Sequence, residues 1–346
     1  MAETHWNKLG AYLKETQILG SIQNTLYWDQ NTGMPKKGAS WRSEQLTYIA
    51  KVLHERNSSE EFSNLIQSAK NELADIERNS DNQFFIKDKE RNISLLLKEF
   101  NRERNLDPKL VESLAKAKSK GYESWQEAKE KSDFKIFLPF FEELVKLRIE
   151  EAKQISDQHS LWETLAQPFE PELTLKWLNK MFQPLKDTLP ELIRGINKSK
   201  KYHWDLSPES QHNLCSKLLD EFGRDKDLVV VGKSPHPFSI TLGPNDYRIT
   251  TRIVEGEPLS SFLATAHEWG HSIYEQGLPS QSHQWFAWPL GQATSMGIHE
   301  SQSLFWENRI VKSKSFSKRF FNKFVSAGCS LNNYLELWKS INHFEA

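Results

Sequence analysis

The first part of the chain has apolar residues at helical spacing. Between residues 6 and 22, apolar side chains recur three or four positions apart, which is typical of one face of an α-helix. The segment 27–35 then contains Gly33 and Pro35, two residues that interrupt regular structure. We therefore expect a helix from Trp6 to about Ile22, broken by this segment.

Long helices are predicted for most of the next 190 residues. From Ser40 to about Ser156 the sequence is almost unbroken in helix-forming residues, and antiparallel helical hairpins are the expected packing. A short connector near residues 169–174 precedes a predicted helix from Leu175 to Ile196. The chain has 15 glycines and 14 prolines among 346 residues, or about 8% together. This share is below the roughly 12% of average usage, which also favours long helices.

One more helix, over residues 207–222, has clear signals at both ends. Ser207 is a candidate N-cap, Pro208 suits the first helical position, and Gly223 suits the position after the last turn. The pattern changes after it, because three short β runs follow at 228–231, 238–242 and 247–254.

These patterns together predict a mainly α fold with a small sheet. We find no convincing linker, so one continuous domain over residues 1–346 is expected. Within it, a helical part covers about 1–226 and a second part about 227–346.

The composition narrows the class of protein. The formal net charge of -1 argues against a general nucleic-acid binder, which should have a basic excess. Two cysteines, Cys215 and Cys329, are too few for a disulfide framework or a cysteine-rich zinc module. No apolar run approaches the ~18 residues of a membrane span, and the first residues lack a signal-peptide pattern. We expect a soluble, cytoplasmic protein without nucleic-acid or membrane partners.

Residues 267–271 read His-Glu-Trp-Gly-His, which is an H-E-x-x-H pattern. Two histidines four positions apart on a helix lie about 40° apart around the axis and about 6 Å along it, so both can reach one metal ion. Glu268 lies about 100° from His267, where it can act as a general base instead of a ligand. Pro258 and Gly277 are the predicted start and stop of this helix.

A catalytic zinc site needs a third protein ligand. Glu300 is the leading candidate, on a second helix predicted from about Ala293 to Val311, and Glu307 on the same helix is the competing carboxylate. His299 would point about 100° away from Glu300, which fits a hydrogen bond to a ligand better than ligation.

Several motifs in this order resemble the carboxypeptidase Taq family of metallocarboxypeptidases. They are His-Pro-Phe at 236–238, Asp-Tyr-Arg-Ile-Thr at 246–250, the H-E-x-x-H motif, and His-Glu-Ser-Gln at 299–302. Segments 28–35, 44–46 and 169–171 are also similar to the family.

The resemblance implies a single helical, zincin-like domain with a deep groove. It implies one divalent metal ion, zinc or cobalt, bound by His267, His271 and Glu300, with Glu268 as the base. It implies peptide substrates that lose single C-terminal residues, and a homodimer. Two alternatives stay open: an oligopeptidase of the thimet type, and a non-catalytic remnant that keeps the metal site.

Substrate-binding residues are expected before the metal-site helix. Asp246, Arg248 and Thr250 alternate along one strand, so their side chains share a face, and Arg248 could bind a substrate carboxylate. The alternative is an Asp-Arg pair that stabilises the sheet. His236 could line the groove, and His299 is a further candidate for substrate binding.

The family pattern also has two later motifs that this sequence lacks. These are an Ile/Val-Arg segment ending in Ala-Asp and a Gly-x-x-Gln followed by a histidine. Residues 335–344 read as an amphipathic helix with no Gly or Pro stop. A C-terminally truncated chain is therefore expected, in which a complete metal site could coexist with weak or absent activity.

Overall fold

The computed structural model describes residues 4–77, 83–156, 160–195 and 204–343. Within these residues the chain is mainly α-helical with one small sheet, which confirms the predicted fold class. Contacts divide the chain into two compact units that alternate along the sequence. The first unit comprises 1–165, 242–244 and 278–294, and the second comprises 166–241, 245–277 and 295–346. The expectation of one domain with an internal boundary near residue 226 stays a prediction.

Long helices make up most of the first unit. In the described part of this unit they are α1 (His5–Thr32), α2 (Ala39–Asn57), α3 (Glu60–Glu77), α4 (Gln83–Arg104), α5 (Pro108–Lys131), α6 (Phe134–Ile155) and α7 (Leu161–Ala166). Short 3-10 turns lie at Lys36–Gly38 and Pro289–Gly291. The almost unbroken helical stretch predicted from Ser40 is thus divided by short turns. Two of these turns end in aspartate N-caps, Asp107 and Asp133, which accept hydrogen bonds from backbone amides two residues on.

Helix α1 extends to Thr32, well past the predicted end near residue 22. Trp28 and Gln30 are both buried, and the Gln30 amide donates to the Ser119 hydroxyl at 3.1 Å. This packing extends the helix into the segment that was predicted to break it. The break comes at Gly33, as the glycine and proline of that segment indicated.

The hydrophobic core of the first unit joins the N-terminal helices to the segment 278–294. Trp285 and Trp288 from that segment are buried, and Trp6 of α1 stacks on Trp288 with ring centroids 3.9 Å apart. The backbone amide of Leu290 donates to the Asn92 side chain at 2.9 Å. These contacts fix the segment on the helices of its own unit.

Apart from residues 242 and 243 at the end of the second strand, which belong to the first unit, the second unit contains the sheet and the remaining helices. In its described part they are α8 (Leu175–Gly195), α9 (Pro208–Glu221), β1 (Val229–Lys233), β2 (Ser239–Gly243), β3 (Asp246–Thr251), α10 (Pro258–Gln276), α11 (Met296–Leu304), α12 (Lys314–Ser326) and α13 (Tyr334–Ile341). Ser207 caps α9 by accepting from the Ser210 amide, as predicted. The predicted end of α8 at Ile196 lies outside the described residues. No helix in the described ranges combines the length and the hydropathy that a membrane span requires.

The three predicted β runs form one sheet in the order β1–β3–β2. Strand β1 pairs in parallel with β3, in a register that sets Val230 opposite Arg248 and Gly232 opposite Thr250. A tight turn joins β2 to β3, and Asn245 within it has a positive φ of 65°. Strand β3 ends at Thr251, three residues before the predicted end at Val254.

Helix α10 is fixed by a core of aromatic residues. Phe262 and Ala266 are fully buried on its apolar side, where Phe262 packs against Phe320 and Phe324 of α12. On another side of the helix Trp269 is also buried, in a second cluster with Ile249 of β3. Because these contacts determine the rotation of α10, they determine where its polar residues point.

Candidate metal centre

Helix α10 presents both histidines of the H-E-x-x-H motif on one face. The helix begins at Pro258 and is capped by Gly277, as predicted. The His267 and His271 rings lie one turn apart, with their centroids 4.9 Å from one another. Each ring is partly exposed, since the side chains retain 24% and 13% of their accessible surface.

Helix α11 approaches α10 closely because residue 270 has no side chain. A Cβ at Gly270 would overlap the Cα of Ser303 and lie 2.6 Å from the carbonyl oxygen of Gln302. The first turn of α11 is held by the segment before α8, through backbone donation from Met296 to Phe169 at 2.7 Å and from Gly297 to the Glu170 carboxylate at 2.9 Å. The Phe-Glu-Pro segment found in the sequence therefore fixes the helix that contains Glu300.

The side chains of His267, His271 and Glu300 converge. Glu300 Oε1 lies 3.6 Å from His267 Nε2, and its Oε2 lies 3.5 Å from His271 Nε2. Donor atoms from the three residues lie within 4.8 Å of one another. Zinc bonds of 2.0–2.2 Å place neighbouring donors of a tetrahedral site roughly 3.3–3.6 Å apart, so this set fits a divalent ion.

Glu307 binds the opposite nitrogen of His267. Its Oε2 accepts a hydrogen bond from His267 Nδ1 at 3.0 Å, and its Oε1 lies 3.4 Å from Lys312 Nζ. Glu307 therefore orients a predicted ligand, while Glu300 is the carboxylate on the Nε2 side. The helix that was predicted to run from about Ala293 to Val311 begins at Met296 and becomes a π-helix over Phe305–Val311.

His271, the second predicted ligand histidine, is held by a longer hydrogen-bonded chain. His271 Nδ1 lies 2.6 Å from His299 Nδ1, and His299 Nε2 lies 2.9 Å from Glu275 Oε1. The other oxygen of Glu275 accepts from the Thr241 hydroxyl at 3.2 Å. Glu275 was not singled out from the sequence, although it follows His271 by four positions and so lies on the same face of α10.

Glu268 is 6% exposed, and it lies on α10 between the two histidines in sequence. Burial raises the pKa of Glu268 to about 7, against the opposing charge of His267. Burial and the neighbouring imidazoles lower the pKa of His271 to about 4, whereas the hydrogen bond to Glu307 raises the pKa of His267. A carboxyl that titrates near neutral pH is suited to general acid–base chemistry.

A match to a family model shows which protein family the chain belongs to. The model of the carboxypeptidase Taq (M32) metallopeptidases matches residues 8–345. The chain belongs to this family. Membership implies a divalent metal ion, and the donor set of His267, His271 and Glu300 fits one.

Named relatives of the carboxypeptidase Taq family match most of the chain. Thermostable carboxypeptidase 1 of Thermus thermophilus is 31% identical, over 96% of this chain and 66% of the relative. Carboxypeptidase 1 of Bacillus subtilis is 30% identical, over 87% of this chain and 59% of the relative. The chain thus spans about three fifths to two thirds of the length of these curated relatives.

Solved structures of similar proteins agree with the fold. The crystal structure titled BsuCP superposes with a TM-score of 0.90 at 28% identity, over 99% of this chain and 68% of the other. Trypanosoma cruzi metallocarboxypeptidase 1 gives a TM-score of 0.82 at 26% identity, over 99% of this chain and 68% of the other.

The predicted substrate-binding residues of this carboxypeptidase Taq chain lie on and beside β3. Arg248 forms a bidentate pair with Asp246, through Nε at 2.8 Å and Nη2 at 3.0 Å. Thr250 is fully buried, and its hydroxyl bonds to Ser234 Oγ and to the backbone amide of Phe238. Thr250 therefore holds the segment 234–238, and its hydroxyl is not on the surface.

His236 is exposed within that segment. Its Nδ1 donates to the carbonyl oxygen of Pro237 at 2.7 Å, and its own carbonyl accepts from the Ser234 hydroxyl. His299, the remaining candidate, lies between His271 and Glu275 as described above.

Proposed function

We propose that this chain is a metal-dependent carboxypeptidase, which releases single amino acids from the C-terminus of peptides. The observation that supports it most strongly is the convergence of His267, His271 and Glu300, with the buried Glu268 on the same helix as the histidines. The printed names of the curated relatives, thermostable carboxypeptidase 1 and carboxypeptidase 1, agree with this activity.

In this proposal, the Nε2 atoms of His267 and His271 and the carboxylate of Glu300 hold a divalent ion. Such an ion supplies Lewis acidity, which polarises a peptide carbonyl and lowers the pKa of water. Glu307 keeps the proton of neutral His267 on Nδ1, which donates a hydrogen bond to the Glu307 carboxylate, so that Nε2 keeps the lone pair that would bind the ion.

Glu268 transfers the proton. In the metal-free chain burial raises the pKa of Glu268 to about 7, and a carboxyl of this kind can accept a proton as the carboxylate and return it as the acid. Glu268 takes one proton from water as the water oxygen adds to the scissile carbonyl carbon. It gives that proton to the amine nitrogen as the C–N bond breaks, leaving a shortened peptide and a free amino acid.

Arg248 is our candidate for binding the terminal carboxylate of the substrate, with Asp246 fixing the orientation of its guanidinium. A guanidinium is suited to a carboxylate because both groups are planar and can form two parallel hydrogen bonds. Thr250 contributes indirectly, by holding the segment that presents His236.

A peptide digest tests the activity and its alternatives. The zinc-loaded chain is incubated with an N-terminally blocked peptide and with the same peptide bearing a C-terminal amide, and products are followed by mass spectrometry. We expect stepwise loss of C-terminal residues from the free acid and none from the amide. Internal cuts would instead support the thimet-type oligopeptidase. One equivalent of bound zinc without any release would support the non-catalytic remnant.

Zinc is the metal we propose, because two imidazoles and a carboxylate are a common donor set for catalytic zinc. Cobalt is the alternative that the family resemblance adds. Elemental analysis of the chain purified without chelator tests this choice, and we expect one zinc per chain. One equivalent of cobalt would decide for the alternative.

We also propose a cytoplasmic location and a homodimer, both of which rest on composition and family resemblance alone. Sedimentation of the zinc-loaded chain tests the assembly. A mass equal to that of one chain across the micromolar range would contradict the dimer.

A further inference from the structure

We propose that Glu275 is a positioning residue for the metal centre, acting on His271 through His299. The hydrogen-bonded chain Thr241–Glu275–His299–His271, which we call the relay, would fix both the tautomer and the ring orientation of His271. The inference rests on the proposed metal-dependent function, because its effect is on a metal ligand.

The contact between the two histidines restricts where their protons can be. Their Nδ1 atoms are 2.6 Å apart, so one nitrogen must donate a proton and the other must offer a lone pair. His271 faces Glu300 with Nε2, which must keep its lone pair to bind an ion. The proton of neutral His271 is therefore on Nδ1, and His271 is the donor to His299.

The same argument continues outward to Glu275. His299 accepts at Nδ1, so its own proton is on Nε2, which faces Glu275 Oε1 at 2.9 Å. The Glu275 carboxylate can only accept when ionised, and it also accepts from the Thr241 hydroxyl. Every hydrogen bond in the relay thus has one direction, and the carboxylate at its end sets that direction.

The relay differs from the arrangement at the other ligand histidine. His267 donates directly to Glu307, on the segment that continues from α11. His271 reaches a carboxylate only through a second imidazole, and that carboxylate is on α10 itself, anchored to Thr241 of β2. All four residues of the relay lie in the second unit.

A purely structural role for Glu275 would be to join α10 to α11 through His299. The two roles differ in their effects, because a structural pair changes the stability of the fold, whereas a positioning residue changes metal affinity and ligand geometry. The experiment therefore measures zinc affinity by chelator competition, the visible absorption of the cobalt-loaded chain, and unfolding of the metal-free chain.

The chain offers a matched control for this substitution. In the first unit Glu103 accepts from His54 Nδ1 at 3.0 Å, and the Glu103 side chain is 27% exposed against 23% for Glu275. Glu103→Ala thus removes a comparable carboxylate from a histidine that has no part in the proposed metal site.

We expect Glu275→Ala to bind zinc about 10- to 100-fold more weakly than the unchanged chain, a typical loss when a group that orients a ligand is removed. The zinc affinity of Glu275→Gln should lie between those of Glu275→Ala and the unchanged chain, since the amide oxygen still accepts a hydrogen bond from His299 but has no charge. The cobalt spectrum should change in Glu275→Ala and stay the same in Glu103→Ala.

Thr241→Val removes the outer end of the relay with little change in volume. If Glu275→Ala fails to fold, Thr241→Val tests the relay instead, and we expect it also to bind zinc more weakly than the unchanged chain. If the unchanged chain binds zinc and the folded relay variants bind it equally well with unchanged cobalt spectra, the relay is overturned while the proposed function stands. If the unchanged chain binds no zinc or cobalt, both fail.

Discussion

Gly270 of α10 lies directly against Ser303 of α11, so closely that a methyl group at residue 270 would overlap the Ser303 Cα. This contact sets the spacing between the helix that presents His267 and His271 and the helix that presents Glu300. The close approach that brings the three proposed metal ligands together therefore depends on the missing side chain of Gly270.

Gly270→Ala should separate the two helices. We expect a loss of about 1–3 kcal/mol in the free energy of unfolding, typical of overpacking, and weaker zinc binding because Glu300 moves with its helix. Denaturant unfolding of the metal-free chain and chelator competition measure the two effects. Gly20→Ala is the control, since nothing lies within 4 Å of its added methyl group, and there a gain of up to about 1 kcal/mol is expected.

Glu268→Gln should separate metal binding from catalysis. The amide keeps the shape of the side chain but cannot accept the proton, so kcat should fall about 10²- to 10⁴-fold while one zinc per chain remains bound. Release of amino acids and elemental analysis measure these outcomes, with Glu103→Gln as a control that keeps both. A kcat near that of the unchanged chain would exclude Glu268 as the base.

The raised pKa of Glu268 also predicts how stability depends on pH. In the metal-free chain this pKa is about 7 when folded, against 4.5 for an ordinary glutamate. Between these values the folded state keeps a proton that the unfolded state has lost, so Glu268 lowers stability as the pH rises through this window. Above it, the penalty reaches about 3 kcal/mol at 1.36 kcal/mol per pKa unit.

Glu268→Gln removes this titration, so the variant should be no more stable than the unchanged chain near pH 4 and more stable near pH 8. Urea unfolding of both proteins with chelator present measures the difference at each pH. A difference that stays constant across this range would contradict the assigned pKa.

Arg248→Lys should weaken the binding of substrate more than the chemical step. Lysine keeps the charge but cannot form two parallel hydrogen bonds with a carboxylate, so KM should rise about tenfold with little change in kcat. Steady-state kinetics on a short peptide measure both constants. An unchanged KM with a lower melting temperature would assign the Asp246–Arg248 pair to sheet stability alone.

The shared face of the two proposed histidine ligands could be predicted from the sequence because helix geometry fixes their relation. His267 and His271 are four positions apart, which is about one helical turn, and once α10 is recognised by Pro258 and Gly277 their shared face is determined. Glu300 needed the family resemblance as well, since spacing along the chain does not state which carboxylate returns to the ion.

Other roles depended on contacts that no local pattern encodes. Glu307 was a competing ligand in the sequence, and its bond to the far nitrogen of His267 depends on a π-helical turn without a sequence signal of its own. Thr250 alternates correctly with Arg248, yet its burial results from the segment 234–238 that folds over it. Glu275 could have been found from its four-residue spacing after His271, but only the position of His299 reveals the connection.

Glu300 lies in the α-helical part of this helix and Glu307 in its π-helical part, Phe305–Val311. The winding of the π-helical part therefore sets the direction of Glu307 without changing that of Glu300. A π turn holds one residue more than an α turn, so deleting a residue at 305 or 306 would return the segment to α winding and change the angular position of Glu307, which lies within it. Glu307 would swing away from His267, whereas Glu300, which precedes the deletion, would keep its place. A one-residue change in length could thus remove the group that orients His267 and leave all three ion-binding residues present.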